Sequence, residues 1–311
     1  MPAKAVKRAK VIVIVGPTAS GKTSWGVRLA RHYDGEIISA DSRQVYRGLD
    51  IGSGKDKKSY RTGGRPVAVH LLDIASPRTE VTVARYQRLA YTAIDDVVSR
   101  GKTPMIVGGT GLYVSAVVEG YRFPSSSKTA LMVIRRRLAR QSLSRLLATL
   151  RRVDSATYKI IDKKNRRRVQ RAIEIYYSTG QPKSQQLAKQ PPPYDFLILG
   201  VSISPQRLRK NIEQRLDERL RSGGLAAEVR RLHRQGVSWR RLEAFGLEYR
   251  WLAHYLQKKI SQEDMTIGLL RDVQQFAKRQ LTWWRPKVDV IWCADYPAAN
   301  RRVRQFLKKK E

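Results

Sequence analysis

Two glycines five positions apart, followed by a lysine and a threonine, are the most chemically pointed feature of the sequence: GPTASGKT, residues 16–23. The spacing G-x-x-x-x-G-K-[ST] between an apolar run and a helix-like pattern is that of a loop built to hold phosphate. Gly16 and Gly21 let the backbone turn tightly and bring its N–H groups close to phosphate oxygens. The whole run Gly16, Pro17, Thr18, Ala19, Ser20, Gly21, Lys22 and Thr23 is expected to wrap a diphosphate. Lys22 supplies a point charge, and the Thr23 hydroxyl can ligate Mg²⁺. The dipole of the following helix adds favourable potential. Such a loop reads phosphate and not a base. ATP is the default ligand, and a small-molecule kinase the first enzyme class, but any diphosphate with Mg²⁺ meets the same physics.

Phosphoryl-transfer sites add a second acid at the end of a later strand. Asp73 after VAVHLL is one candidate, and Asp41 after EIISA is another. Asp41 opens a polar stretch, DSRQVYRGLDIGSGK, directly behind an apolar strand. Strand ends of this kind face the ligand crevice. An aspartate there can take a proton or assist a metal. Asp41 or Ser42 would equally suit a helix N-cap, and position alone leaves the two roles open.

The elements that must position these groups follow from periodicity. VIVIV (11–15) reads as a strand buried on both faces, with a helix over 22–32. Further strands are expected at 36–42, 67–74 and from 104, with helices over 83–101 and up to 120. Short apolar strands alternating with helices predict a parallel sheet covered on both faces. Near Pro124 the pattern turns wholly helical. Residues 135–171 hold 14 Lys or Arg against two acids, Asp154 and Asp162. A Pro-rich connector and a strand (195–201) follow, then helices at 205–221, 225–235, 247–257 and 263–284, and VDVIW as a last strand. The organisation expected is an α/β core, 1–122 and 191–311, interrupted by a basic helical insertion at about 123–190. On a helix over 166–178, Val169, Ile173 and Tyr176 share a stripe, while Arg167 and Arg171 fall on another face.

The chain of 311 residues, 41% hydrophobic, can bury a sizeable core. Its 62 Lys and Arg outnumber 26 Asp and Glu, a formal net charge of +36. That excess favours a polyanionic partner, nucleic acid before membrane. The single cysteine, Cys293, permits no intramolecular disulfide and fits a reducing cytoplasm. No Cys/His cluster has zinc spacing, and no run approaches transmembrane length. The basic start is read as leading into a strand and not as a signal peptide. Trp283 and Trp284 are expected in the core.

GPTASGKT, ISADSRQVYRGLDIG, HLLDI, RGKTPMIVGGTGLY, RRVQRAIEIYYSTGQPKS and AKRQLTWWR occur in the order and spacing of the tRNA dimethylallyltransferase family. The chain resembles that family from about residue 11 to 292. The resemblance implies a P-loop NTPase-like core with a parallel sheet flanked by helices, plus the helical insertion. It implies transfer of a dimethylallyl group from dimethylallyl diphosphate to N6 of the adenosine 3′ of the anticodon in tRNA, with Mg²⁺, by a monomer. The loop would then hold dimethylallyl diphosphate. By the same resemblance Asp41 is the base, Thr110 holds the amine, and Arg215 clamps the diphosphate beside Lys22. Contacts to tRNA would come from Asp41, Ser42, Arg43, Gln44 and Thr110. The insertion would add Arg167, Arg168 and Arg171. Phe245, Gly246 and Arg250, with Lys278, Arg279 and Gln280, complete the set. An adenylate prenyltransferase shares the core but would not need the basic insertion, and a P-loop RNA-binding protein is the non-enzyme alternative.

Two departures stand out. GSGK at 52–55 replaces the family's commoner Gly-Thr-Ala-Lys-Pro, and Leu131-Met132 stands where members often carry Leu-Arg. The second leaves one RNA contact absent or supplied by Arg135.

Overall fold

The computed structural model describes residues 8–123, 128–185 and 192–309. In chain order the elements are β1 (Ala9–Val15), α1 (Lys22–His32), β2 (Gly35–Ser39), β3 (Val69–His70), α2 (Val83–Ser99), β4 (Thr103–Gly108) and α3 (Gly111–Val118). Next come α4 (Lys128–Ala139), α5 (Leu143–Val153), α6 (Ser155–Ile160) and α7 (Arg166–Thr179). The chain then returns to β5 (Tyr194–Val201), α8 (Pro205–Arg221), α9 (Gly224–Arg234), α10 (Trp239–Phe245), α11 (Leu247–Leu256), α12 (Gln262–Trp284), β6 (Val290–Cys293) and α13 (Tyr296–Lys308). It divides into two compact units, 1–118 with 193–311, and 119–192.

In the first unit six parallel strands lie in the order β3-β2-β4-β1-β5-β6. Every residue from Val11 to Val15 is fully buried, and alternation splits them between two cores. Val11, Val13 and Val15 join the helices α2, α3, α9 and α11. Ile12 and Ile14 join α1 and α13. A strand with both faces covered has no solvent side, which is why it reads as an unbroken apolar run. Each such side chain contributes about 1.5–3 kcal/mol. The sheet is parallel, so β1, β4 and β2, which are adjacent, end on the same side. The phosphate loop, Asp41 and Thr110 leave from those ends.

α8 and α12 form a separate pair. Leu208, Ile212 and Leu216 meet Leu269, Val273 and Ala277, each set spaced by four so that it lines one helix face. Ser204 caps α8 ahead of Pro205, and Ser261 with Asp264 forms a capping box on α12.

The second unit packs α4, α5 and α7 around Leu138, Leu146, Leu150, Val169, Ala172 and Ile173. Arg166 donates to the carbonyls of Leu138, Ala139 and Gln141, closing the C-terminal turn of α4.

Two expectations change. The strand expected at 67–74 is only two residues long, because Leu71 and Asp73 take left-handed φ of 63° and 56° and end it. Residues 239–245 form a helix that the periodicity did not reveal; Ser238 caps it, and one side chain, Leu242, is fully buried.

Candidate active site

The phosphate loop leaves β1 and turns straight into α1. Ala19 and Gly21 both adopt left-handed conformations, φ 61° and 86°. Alternation of this kind turns backbone N–H groups inward to form an anion-binding concavity. Only the glycine takes it freely; Ala19 carries local strain. Ser20 Oγ is buried with no hydrogen-bond partner among the described residues. Lys22 Nζ donates to Pro17 O at 3.1 Å. Burial pushes the Lys22 amine down to about 8; Asp41 opposes that shift and Arg215 adds to it. Arg215, on α8, reaches Thr18 Oγ1 at 2.5 Å, and Asn211 one turn earlier holds Ala19 O at 3.0 Å. Burial brings the Arg215 guanidinium down to about 10, with Arg219 adding to the effect. Two cations with lowered pKa in one cavity form a site that gains from an incoming anion.

The other end of the cavity is assembled where β2 and β4 stop. Ala40 and Gly108 touch so closely that a Cβ on Gly108 would lie 2.2 Å from Ala40 O. Thr110 N donates to Ala40 O at 3.1 Å, and Ser42 N donates to Thr110 Oγ1 at 3.0 Å. Asp41 Oδ1 accepts from the N–H groups of Arg43 and Gln44 at 2.9 and 3.3 Å. It therefore caps a turn, not a helix. Oδ2 makes no hydrogen bond among the described residues, and Asp41 lines the cavity with Lys22, Thr110 and Arg215. One carboxylate oxygen orients the side chain and the other remains for chemistry.

Long-range side chains hold these ends together. Gln280 of α12 is buried; its Oε1 accepts from Thr18 N at 2.7 Å and its Nε2 donates to Gly109 O at 2.8 Å. One amide thus ties the phosphate loop to the residue before Thr110. Glu248 of α11 is buried between Arg43 at 3.2 Å and Arg219 at 3.7 Å. Glu228 of α9 is also buried. It accepts from the N–H groups of Asp50, Ile51 and Gly52 and from the Tyr249 hydroxyl, at 2.7 to 3.1 Å. That fixes the loop whose Gly52 and Ser53 line the cavity. Val273, Phe276 and Leu247 supply apolar wall, Leu247 at a left-handed φ of 41°.

The IPP transferase family model matches residues 44–287. A tRNA dimethylallyltransferase of Syntrophus aciditrophicus is 42% identical over 304 residues, covering 96% of this chain and 98% of that protein. The chain belongs to the IPP transferase family. Another relative, the tRNA dimethylallyltransferase of Treponema pallidum, is 43% identical over 88% of this chain and 86% of its own. Among solved structures, the full-length tRNA isopentenylpyrophosphate transferase of Bacillus halodurans superposes with a TM-score of 0.70 at 32% identity, covering 96% of both chains. A eukaryotic dimethylallyltransferase acting on tRNA gives 0.78 at 26% identity, over 95% of this chain and 77% of that one. The core is the family's P-loop NTPase-like fold.

The remaining residues that the family resemblance singled out are distributed unevenly. Lys278 and Arg279 on α12, Arg250 on α11, and Arg167, Arg168 and Arg171 on α7 are exposed. Arg171 and Arg135 both pair with Glu174, at 3.0 and 3.2 Å, while Met132 is exposed. Gln44 is used internally: it accepts from Ser39 Oγ and donates to the carbonyls of Ser53 and Gly54. Phe245 packs edge-on against Tyr46 and Tyr249, and Gly246 has φ 72°. Asp73 is not beside the phosphate loop. Its carboxylate binds Lys55 at 2.6 Å and Lys57 at 2.7 Å, so it is committed to a structural ion pair. Trp284 is buried, but Trp283 is 37% exposed, lying over Gly111 and donating to Ser115 Oγ.

Sequence reasoning missed Arg219, Glu228, Glu248 and the internal use of Gln280. Arg219 carried a signal, its spacing of four from Arg215 on a helix. The glutamates carried none, because their partners are far away in the chain.

Proposed function

We propose that this chain transfers a dimethylallyl group from dimethylallyl diphosphate to N6 of the adenosine 3′-adjacent to the anticodon in tRNA. The observation that carries this reading is one cavity lined by Lys22 and Arg215 together with Asp41 and Thr110. Its relatives' names point the same way.

In the proposed reaction the phosphate loop binds the diphosphate, and Lys22 and Arg215 stabilise the charge that gathers on it as the allylic C–O bond breaks. The adenine amine is a poor nucleophile, since its lone pair is shared with the ring. Asp41 Oδ2 takes the N6 proton as the N–C bond forms, and the Thr110 hydroxyl orients the amine. Diphosphate and prenylated adenosine are the products. Thr23 would hold Mg²⁺. Among the described residues no group of three or more His, Cys, Asp or Glu could cage a metal. An ion with one protein hydroxyl and otherwise phosphate and water oxygens suits magnesium. When bound, it neutralises charge on the departing diphosphate.

An adenine in a folded loop must leave its stack to reach this cavity. Arg43, Arg167, Arg168, Arg171, Arg250, Lys278 and Arg279 would grip the anticodon stem-loop, with Ser42, Phe245 and Gly246 beside the base. Gln44 and Gln280 would act by holding the walls. No helix among the described residues is long and apolar enough to cross a membrane; the protein is proposed to act in the cytoplasm as a monomer.

The test is incubation with labelled dimethylallyl diphosphate and either an anticodon stem-loop or AMP. Label on the stem-loop is expected. Label on AMP alone would overturn the reading in favour of a free-nucleotide enzyme, and label on neither would favour a binding protein or a kinase.

A further inference from the structure

A second charged concavity adjoins the loop that lines the cavity. Arg47, Arg78 and Arg231 line an open groove with Gly48, Asp50 and Ser76. All three arginines are exposed. Their hydrogen-bond partners among the described residues are carbonyls and not carboxylates: Arg47 donates to Asp73 O at 3.3 Å, and Arg231 to Gly48 O at 3.2 Å. Arg78's guanidinium has none among the described residues. The one acid lining the groove, Asp50, is bound to Lys55 and Lys57 at 3.1 and 3.2 Å. Three guanidinium groups therefore line one groove with no carboxylate partner among the described residues.

The groove is also held in shape. Glu228 fixes the loop at 50–52 through three backbone N–H groups, and Arg231 follows three residues later on the same helix. Arg241 fixes the opposite wall by donating to Pro77 O at 2.8 Å and Thr79 O at 2.5 Å. It is itself stacked on Phe245 at 4.5 Å. Positions set in advance lower the entropy cost of binding. One loop runs from the groove at Gly48 to the cavity at Gly52 and Ser53. The same loop therefore borders both the groove and the cavity.

We infer that the groove of Arg47, Arg78 and Arg231 binds the sugar–phosphate backbone of the RNA that delivers the adenosine. Guanidinium forks match phosphate oxygens in pairs, and exposed arginines without carboxylate partners give up no ion pair on binding. This rests on the proposed function and adds a backbone clamp to it.

The experiment compares the triple variant Arg47→Gln, Arg78→Gln, Arg231→Gln with a charge-matched control on α13, Arg301→Gln, Arg304→Gln, Lys308→Gln. Affinity for an anticodon stem-loop is measured across a range of salt, alongside the KM for dimethylallyl diphosphate. Each lost phosphate contact lowers the log–log salt slope by about 0.7–0.9, so the groove variant should lose about two and bind about tenfold more weakly. The control should follow wild type, and KM for the diphosphate should not move. Arg→Lys at the three groove positions keeps the charge and should restore the slope. A groove variant indistinguishable from the control overturns the inference while the proposed function stands. A wild type that neither binds nor prenylates the stem-loop overturns both.

Discussion

The two ends of the cavity are built by different means. The proposed diphosphate end is mostly local: eight consecutive residues, two left-handed backbone positions and the head of one helix, with Asn211 and Arg215 reaching in from α8. The acceptor end is distributed. Asp41 follows β2, Thr110 follows β4, Glu248 comes from α11 and Gln280 from α12. Anion binding needs N–H groups and charge, which one tight loop supplies. Orienting a weak nucleophile beside a base needs groups at fixed distances, which a single segment cannot reach.

The largest effect separating the ends is expected at Asp41. Asp41→Asn keeps an oxygen that can accept from the Arg43 and Gln44 N–H groups but removes the proposed base. Turnover should fall about 10²–10⁴-fold while KM for dimethylallyl diphosphate and stem-loop affinity stay near wild type. Steady-state kinetics with a filter-binding measurement decide it. Unchanged turnover would reduce Asp41 to the capping role that its Oδ1 already fills.

That contrast also explains what was legible in the sequence. GPTASGKT announces its function because loop and helix head are contiguous, and β1 announces itself because both faces are buried. Asp41 was visible as a polar residue behind a strand, but its two roles could not be separated until its two oxygens were placed. Asp73 had the same sequence signature and turned out to serve Lys55 and Lys57. Gln280 stood in the sequence among the expected RNA contacts; only the fold brings Thr18 and Gly109, 262 and 171 residues away, to its two ends. Nothing in the sequence singled out Glu228, yet three N–H groups of the loop at 50–52 converge on it. Long-range pairs leave no period behind.

A smaller effect should come from the residue that joins the ends. Gln280→Leu is of similar size but leaves the Thr18 N–H and the Gly109 carbonyl without their partner. Each loss costs about 1–3 kcal/mol when buried. Because the amide spans both sites, kcat/KM should fall about ten- to a hundredfold for both substrates. A loss confined to dimethylallyl diphosphate would mean that the ends are independent and that Gln280 supports the loop alone.

The smallest effect is a pH dependence confined to the diphosphate end. In the free protein, burial lowers the Lys22 amine to about 8, against the opposing charge of Asp41. A bound diphosphate favours the protonated form and raises that pKa. Below about pH 7 the amine is charged with or without ligand, so affinity is flat on this account. Above about pH 8 the free amine is neutral and binding must take up a proton, so affinity should fall roughly tenfold per unit until the pKa of the complex is reached. Folding follows the opposite sense, because the folded pKa lies below the ordinary 10.5. The cost of burying the charge is complete below about pH 8 and fades as pH rises toward 10.5. Calorimetric titration with dimethylallyl diphosphate at pH 9, in two buffers of different ionisation enthalpy, should report uptake of nearly one proton; at pH 7 it should report little. Lys22→Met should abolish the uptake. Proton uptake that persists in Lys22→Met would assign it to another group and leave Lys22 charged at every pH where the enzyme works.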